Sequence, residues 1–243
     1  MDNTLYLMAS RMNSLGDNLQ VIAANLANAS TPGFKRTVGR FQAVLQSITP
    51  SAQLQPTMPL LYWPELSAFC QDFSQGPISM TGRPLDLAVR GSAFFVVDTP
   101  EGQLYTRKGR IYLNEAGELT DGGGNRFASE GGTLRIPNDA VQIVIDKNGS
   151  VVADGRVLGQ LRLVDIADTS ALVAQGEGLY AYHAPTPAKA VDSEVIQGAV
   201  EESNVKAVHE MVAMMELMQA YDASARVVKR MDGLSKELIQ NAA

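Results

Sequence analysis

From Leu5 the apolar residues Leu5, Met8, Met12, Leu15, Leu19, Ile22 and Leu26 follow one another at alternating spacings of three and four. No other feature constrains the fold of this chain as strongly. The spacing places all of these side chains on one line along an α-helix, while the intervening Asn, Ser, Gln, Asp and Ala residues face away. Asp2 or Asn3 suits the N-cap. The helix is expected to stop before Ser30-Thr31-Pro32-Gly33, because Pro32 restricts Thr31 and Gly33 permits a turn. A helix of this length runs roughly 35–40 Å at 1.5 Å per residue.

A second helical tract is predicted from Ser203 to Gln240. Met214, Leu217, Tyr221, Val228, Met231 and Leu238 recur at heptad spacing, and Ser224 and Ser235 occupy the weak positions. Val205, Val208, Val212 and Met215 begin a neighbouring stripe, so the apolar face is wider than a two-helix seam requires. Ser203 and Asn204 are the capping candidates. Glu210, Glu216 and Asp222 precede Arg226, Lys229 and Arg230, an order that suits the helix dipole. Met211, Met214, Met215 and Met218 are four of the ten methionines, and their flexible thioethers suit a surface that adapts to its neighbours. Neither end has a partner nearby in sequence. The two are expected to pair with each other, with copies of themselves or with related chains.

Between the helices the pattern changes twice. Phe41 to Pro64 holds no charged residue but contains Pro50, Pro56, Pro59 and Pro64, which predicts an extended linker. From about Met80 to Ala184 short β-rich runs alternate with turn residues. Candidate strands are 85–89, 94–98, 104–107, 111–113, 119–120, 134–136, 141–145, 151–153, 158–164 and 179–181. Gly117 and Gly149 mark hairpin turns within 111–119 and 144–152. No helix is needed between these strands, so the β region is antiparallel and the class is α+β. The predicted organisation is an N-terminal helix (1–33), an extended linker (34–80), a central antiparallel β domain (81–185), a connector (186–202) and a C-terminal helix (203–243).

Composition and motifs exclude several functions. Twenty basic residues against 26 acidic ones give a formal charge of −6 with no basic stripe, so no nucleic-acid partner is expected. Apolar runs such as Ala93–Val97 fall far short of the roughly 18–20 residues of a membrane span, so no direct membrane insertion is expected. The single cysteine, Cys70, offers neither an intramolecular disulfide nor a metal framework. The N-terminus lacks a basic region followed by an apolar one, which predicts export by a route needing no cleavable signal. His183 and His209 lack metal-ligand spacing and accompany no nucleophile motif. Asp121–Asn125 reads as a glycine-rich loop and Asp146–Ser150 as a hairpin turn. No catalytic residue, cofactor or metal site is expected. A hydrolase built on the β domain would require clustered acids in a pocket, and no motif points to one.

Three segments together resemble a known family. Asn25-Leu26-Ala27-Asn28-Ala29-Ser30-Thr31-Pro32-Gly33-Phe34-Lys35-Arg36 is similar to the N-terminal signature of bacterial flagellar rod and hook proteins. Gln197–Val205, Glu210-Met211-Val212 and Tyr221 resemble the C-terminal signature. Thr81–Val89, Phe94–Val97, Tyr105–Gly109 and Gly117–Leu119 resemble the β-domain pattern. Ala24, Ala93 and Gln219-Ala220 depart from it. Within the family the opening Met1-Asp2, Leu5-Tyr6 and the length are most similar to proximal rod members, with distal rod members next.

The resemblance implies a non-enzymatic axial subunit of the basal-body rod, passed through the flagellar type III export apparatus and assembled in the periplasm with neighbouring proximal and distal rod subunits. It implies that the terminal helices pair as an α-helical coiled-coil domain and that the β domain lies outside them. The implied interface residues are the N-terminal stripe Leu5–Leu26 and, at the other end, Ser203, Asn204, Val205, Met211, Val212, Met214, Met215, Leu217, Met218, Tyr221, Val228, Met231 and Leu238. Asn25, Asn28, Thr31, Gly33, Phe34 and Lys35 carry the N-terminal motif.

Overall fold

The computed structural model describes residues 2–44, 63–137, 139–182, 188–189 and 193–241. Helix α1 spans Asp2–Ala27 and helix α2 spans Ala207–Asn241. Asp2 and Asn3 already lie inside α1 and do not flank it. By internal contacts the chain divides into two units. One comprises Met1–Asn25, Thr37–Gln71 and Val208–Ala243, the other Leu26–Arg36 and Asp72–Ala207.

The first unit contains the helices and a two-stranded antiparallel ribbon, β1 (Thr37–Val44) and β2 (Trp63–Gln71). Thr37 stands opposite Gln71 and Val44 opposite Trp63, with a register shift between Arg40 and Phe41. This corrects the expectation of an extended linker, since pairing continues into that stretch at both ends. The two strands meet from either side of a long intervening segment, so no short turn announces them in the sequence. Residues 45–62 of the expected linker lie outside the described residues.

The coiled-coil pairing of the helices is also corrected. A knobs-into-holes seam buries its a and d side chains. Met8, Met12, Leu15, Leu19, Ile22 and Leu26 of α1 are only half-buried, as are Met214, Leu217, Val228 and Met231 of α2. Val208 is 67% exposed and Met215 55%. The heptad spacing establishes that one face is apolar. It does not establish that a matching helix from the same chain covers that face.

The second unit is antiparallel throughout. Its largest sheet has nine strands, running in the order 172–176, 179–182, 102–106, 94–99, 126–127, 119–120 and 112–113, with 163–165 and 188–189 joined at its side. A four-stranded sheet follows the order 129–130, 156–161, 150–153 and 143–145. Two further pairs join 194–197 to 87–90 and 199–201 to 78–80. Both expected hairpins form, pairing Leu113 with Leu119 and Val144 with Val152. The run 134–136 forms no strand. Leu134 and Ile136 are buried there, and Arg135 makes an isolated bridge to Glu118.

Strand Phe94–Thr99 organises the core. Alternate residues of a strand point to opposite faces. Phe95 and Val97 join a cluster with Leu87, Ile111, Leu119, Ile145, Val151 and Leu161. Phe94 and Val96 join another with Tyr105, Val164, Leu172 and Tyr180. Both faces are covered, which explains an unbroken apolar run where a half-exposed strand would alternate. Edge-to-face ring contacts at 5.8 Å (Phe95–Phe127), 5.4 Å (Phe73–Phe94) and 5.0 Å (Phe73–Tyr180) seal the two clusters.

Two predictions follow from this packing. The Gly109 carbonyl accepts from Leu87 N–H at 2.7 Å, and a Cβ on Gly109 would overlap the Leu87 carbonyl oxygen. Gly109→Ala is expected to lower unfolding stability by roughly 1–3 kcal/mol, the usual cost of overpacking, in urea titrations followed by circular dichroism. In the hairpin after Leu113, Asn114 donates to the Glu118 carboxylate, and Arg126 and Arg135 lie beside it. First that hydrogen bond and then the two guanidinium charges hold the Glu118 carboxyl below its ordinary 4.5. A depressed carboxyl contributes stability above its unfolded value and loses it as pH falls through the folded one. Glu118→Gln is therefore expected to be less stable than the parent at pH 7, with the difference closing below pH 4.5. A gap that persists at acid pH would contradict this assignment.

Candidate functional site

In the second unit, the chain leaving α1 meets the chain approaching α2. After α1 the backbone turns tightly. Thr31 N–H donates to Asn28 O (3.1 Å), Thr31 Oγ1 to Asn28 Oδ1 (3.1 Å) and Phe34 N–H to Thr31 O (3.2 Å). Gly33 has a φ of 72°, and its N–H donates to Glu201 O at 2.7 Å. A Cβ there would stand 2.8 Å from the Lys108 backbone nitrogen, so conformation and close approach both demand glycine.

The turn delivers Lys35 into the interior. Its side chain and that of Glu201 have no exposed surface, and Lys35 Nζ lies 2.6 Å from Glu201 Oε1. Nζ also donates to Ser74 O at 2.7 Å, and Gly76 N–H donates to the same Glu201 oxygen at 2.8 Å. Arg107 Nη1 lies 3.6 Å from Glu201 Oε2 and donates to Gly91 O at 2.8 Å, while the guanidinium sits 4.6 Å above the Phe94 ring. Two cations thus surround one carboxylate. Burial pushes the Lys35 ammonium below its ordinary 10.5, and Glu201 opposes the shift. Burial likewise lowers Arg107, opposed by Glu201 and then Asp165.

Asn204 closes the junction. Its Oδ1 accepts from Arg36 N–H at 2.7 Å, and its Nδ2 donates to Asp72 O at 2.7 Å. Asn204 is therefore occupied with the chain after α1. Ser203 Oγ accepts from Val205 N–H at 3.2 Å, ahead of the first turn of α2.

A separate polar node lies in the first unit. Asn25 Nδ2 donates to Thr37 O at 2.8 Å, and Thr37 N–H donates to Asn25 Oδ1 at 2.9 Å. Asn25 Nδ2 is also 3.3 Å from Glu210 Oε2. Asn25 and Glu210 are both buried.

The helix faces divide by burial. On α2, Met214, Leu217, Val228 and Met231 are half-buried and Ser224 is buried, donating to Ala220 O at 2.9 Å. Met211, Val212, Met218 and Tyr221 are exposed beside Val208 and Met215. The side chains of Leu5 and Leu238 lie outside the described residues.

Of the expected motif residues, Gly33, Lys35 and Asn204 converge in the junction, Ser203 bonds Val205 within its own segment, and Asn25 occupies the second node. Glu201, Arg107, Gly76 and Glu210 were not expected as site residues. Glu201 lay within the C-terminal signature Gln197–Val205 and follows the apolar pair Ala199-Val200, a charge where a strand would be buried. Glu210 was noted for the helix dipole and as part of the C-terminal signature, not as a site residue.

Among the described residues no group of three or more His, Cys, Asp and Glu stands together to hold a metal. His209 is exposed, and His183 lies outside the described residues. A shallow concavity on the nine-stranded sheet is lined by Asp98, Gln103, Arg126 and Arg162. Its polar groups bond one another, Gln103 donating to Asp98 at 3.1 Å and Arg162 to Gln103 at 3.3 Å.

Comparison with known proteins gives concordant matches along the chain. Residues 5–35 match the family described as flagella basal body rod protein, and residues 88–153 match the flagellar hook protein FlgE/F/G D1 domain. Residues 196–241 match the flagellar basal body rod FlgEFG protein C-terminal family. The flagellar basal-body rod protein FlgF of Caulobacter vibrioides is 32% identical over 243 residues, covering 99% of this chain and 98% of that protein. FlgG of Buchnera aphidicola from Acyrthosiphon pisum is 31% identical over 261 residues, covering 98% of each. FlgG of Bacillus subtilis is 29% identical over 257 residues, covering 97% of each.

Removing one member of a buried ion pair strands the other, at a cost of about 3–5 kcal/mol. Lys35→Met and Glu201→Leu are each expected to destabilise the second unit on that scale. The double variant should lose much less than the sum of the two. A double-mutant cycle in urea measures the coupling, and strict additivity would exclude it.

Proposed function

The chain belongs to the flagellar basal-body rod protein family, and from that premise we propose that it is an axial subunit of the proximal rod, built in through its two terminal helices. As a member of the family it is a structural component of the basal-body rod and associates there with other rod proteins.

The observation that carries the helical part of the proposal is the contrast between the two units. In the second unit strand Phe94–Thr99 is covered on both faces, and the buried charges of Lys35 and Glu201 pair internally. The first presents Val208, Met211, Val212, Met215 and Met218 to solvent along one side of α2. Covering five half-exposed side chains of this size yields on the order of 5 kcal/mol, a gain a neighbouring subunit can supply. Contacts between unlike surfaces that do not close into a ring propagate as an open helical array.

Likeness to both FlgF and FlgG rod proteins along nearly the whole chain supports the rod assignment. The match to FlgF takes 243 positions and covers 99% of the chain, and the match to FlgG takes 261 and covers 98%. In this proposal the subunit reaches the rod through the flagellar type III export apparatus. It performs no catalysis and passes torque from motor to hook by packing alone.

Proline inside a helix costs about 3 kcal/mol or more and breaks its line. Leu15→Pro and Met215→Pro are expected to keep the circular dichroism of the β unit yet be absent from isolated basal bodies of cells that lack the parent chain. Functional rods containing either variant would rule out the helical interface.

A further inference from the structure

Asn25 behaves as a piece of backbone. Its side-chain amide meets both the N–H and the C=O of Thr37, at 2.9 and 2.8 Å, as a paired strand residue would. The same amide nitrogen stands 3.3 Å from Glu210 in the first turn of α2. One side chain near the end of α1 thus touches the first residue of β1 and the first turn of α2. Each contact specifies a donor and an acceptor at a fixed distance, and moving α2 by one helical turn, about 5.4 Å, would break it.

The apolar face beside it has the opposite character. Met211, Met214, Met215 and Met218 are unbranched and repack readily, so they favour contact without choosing one register. Polar pairs within apolar interfaces are the best-attested means of fixing register.

We propose that Asn25 and Glu210 form a register pin, positioning residues that fix the axial offset of α2 against the end of α1 and so decide which side chains a neighbouring subunit meets at each level. The purpose of the pin rests on the assembly reading above, whereas the tie itself does not. Asparagine suits the position because glutamine is one methylene longer and aspartate lacks the donor that Thr37 O and Glu210 both use.

The test uses the full chain with Asn25→Ala, Asn25→Asp and the double variant Asn25→Asp/Glu210→Gln. Asn25→Asp sets two carboxylates against each other, and Glu210→Gln restores a donor–acceptor pair. Hydrogen exchange in the first turn of α2 should quicken about tenfold in both single variants, and at the Thr37 amide in Asn25→Ala, which alone loses the Oδ1 acceptor, the factor carried by one net hydrogen bond. The double variant should recover in the first turn of α2, where the donor–acceptor pair is restored, while exchange in strand Phe94–Thr99 stays unchanged throughout. In basal bodies from cells lacking the parent chain, incorporation should fall in the single variants and return in the double variant. Unchanged exchange in Asn25→Ala, or a double variant no better than Asn25→Asp, overturns the tie. Altered exchange with undiminished incorporation overturns its role in register. If the parent chain itself is missing from basal bodies, the assembly reading fails, the role in register falls with it, and exchange alone decides whether the tie exists.

Discussion

A lysine and a glutamate with no exposed side-chain surface persist inside a protein only when each supplies the other's charge and hydrogen bonds. Lys35 and Glu201 do so across 166 positions of sequence. Desolvating either alone would cost several kcal/mol, so the pair forms only if the turn after α1 and the strand before α2 arrive together. Gly33 and Asn204 reinforce the arrival with backbone contacts. Arg107 joins the same carboxylate to Phe94, and so to the strand on which both apolar clusters rest. The ends of the β unit are held by charge, and its interior by burial.

This division has a mechanical consequence. Polar contacts between buried groups are intolerant of displacement, whereas apolar faces built from methionine tolerate much of it. The structure places the intolerant contacts at the roots of the terminal segments and the tolerant face farther along α2. A subunit in a torque-bearing assembly gains from that arrangement. Its own geometry is defined before it meets a neighbour, and its contact surface can still adapt to several.

What was legible in the sequence was legible for local reasons. The helical period of α1 and α2 repeats within a few residues, and the two hairpins carry their glycine at the turn. The ribbon of β1 and β2 was misread because its strands meet across a long segment with no turn signal between them. The coiled-coil expectation failed for a different reason. An a/d stripe records which residues are apolar and says nothing about which surface covers them. Lys35 was singled out through its motif, yet a lone lysine reads as a solvated surface residue. Its burial depends entirely on a distant glutamate.

The sequence by itself determined the two helices, the two hairpins, the antiparallel class and the family, because period, turn chemistry and motif order are all properties of neighbouring residues. Only the tertiary structure decided that Lys35 and Glu201 share one buried site, that Asn25 answers Thr37 and Glu210, and that α2 leaves a methionine face uncovered. These facts depend on which distant segments meet. Meeting is settled by the free energy of burial and pairing summed over the whole chain, which no local pattern records.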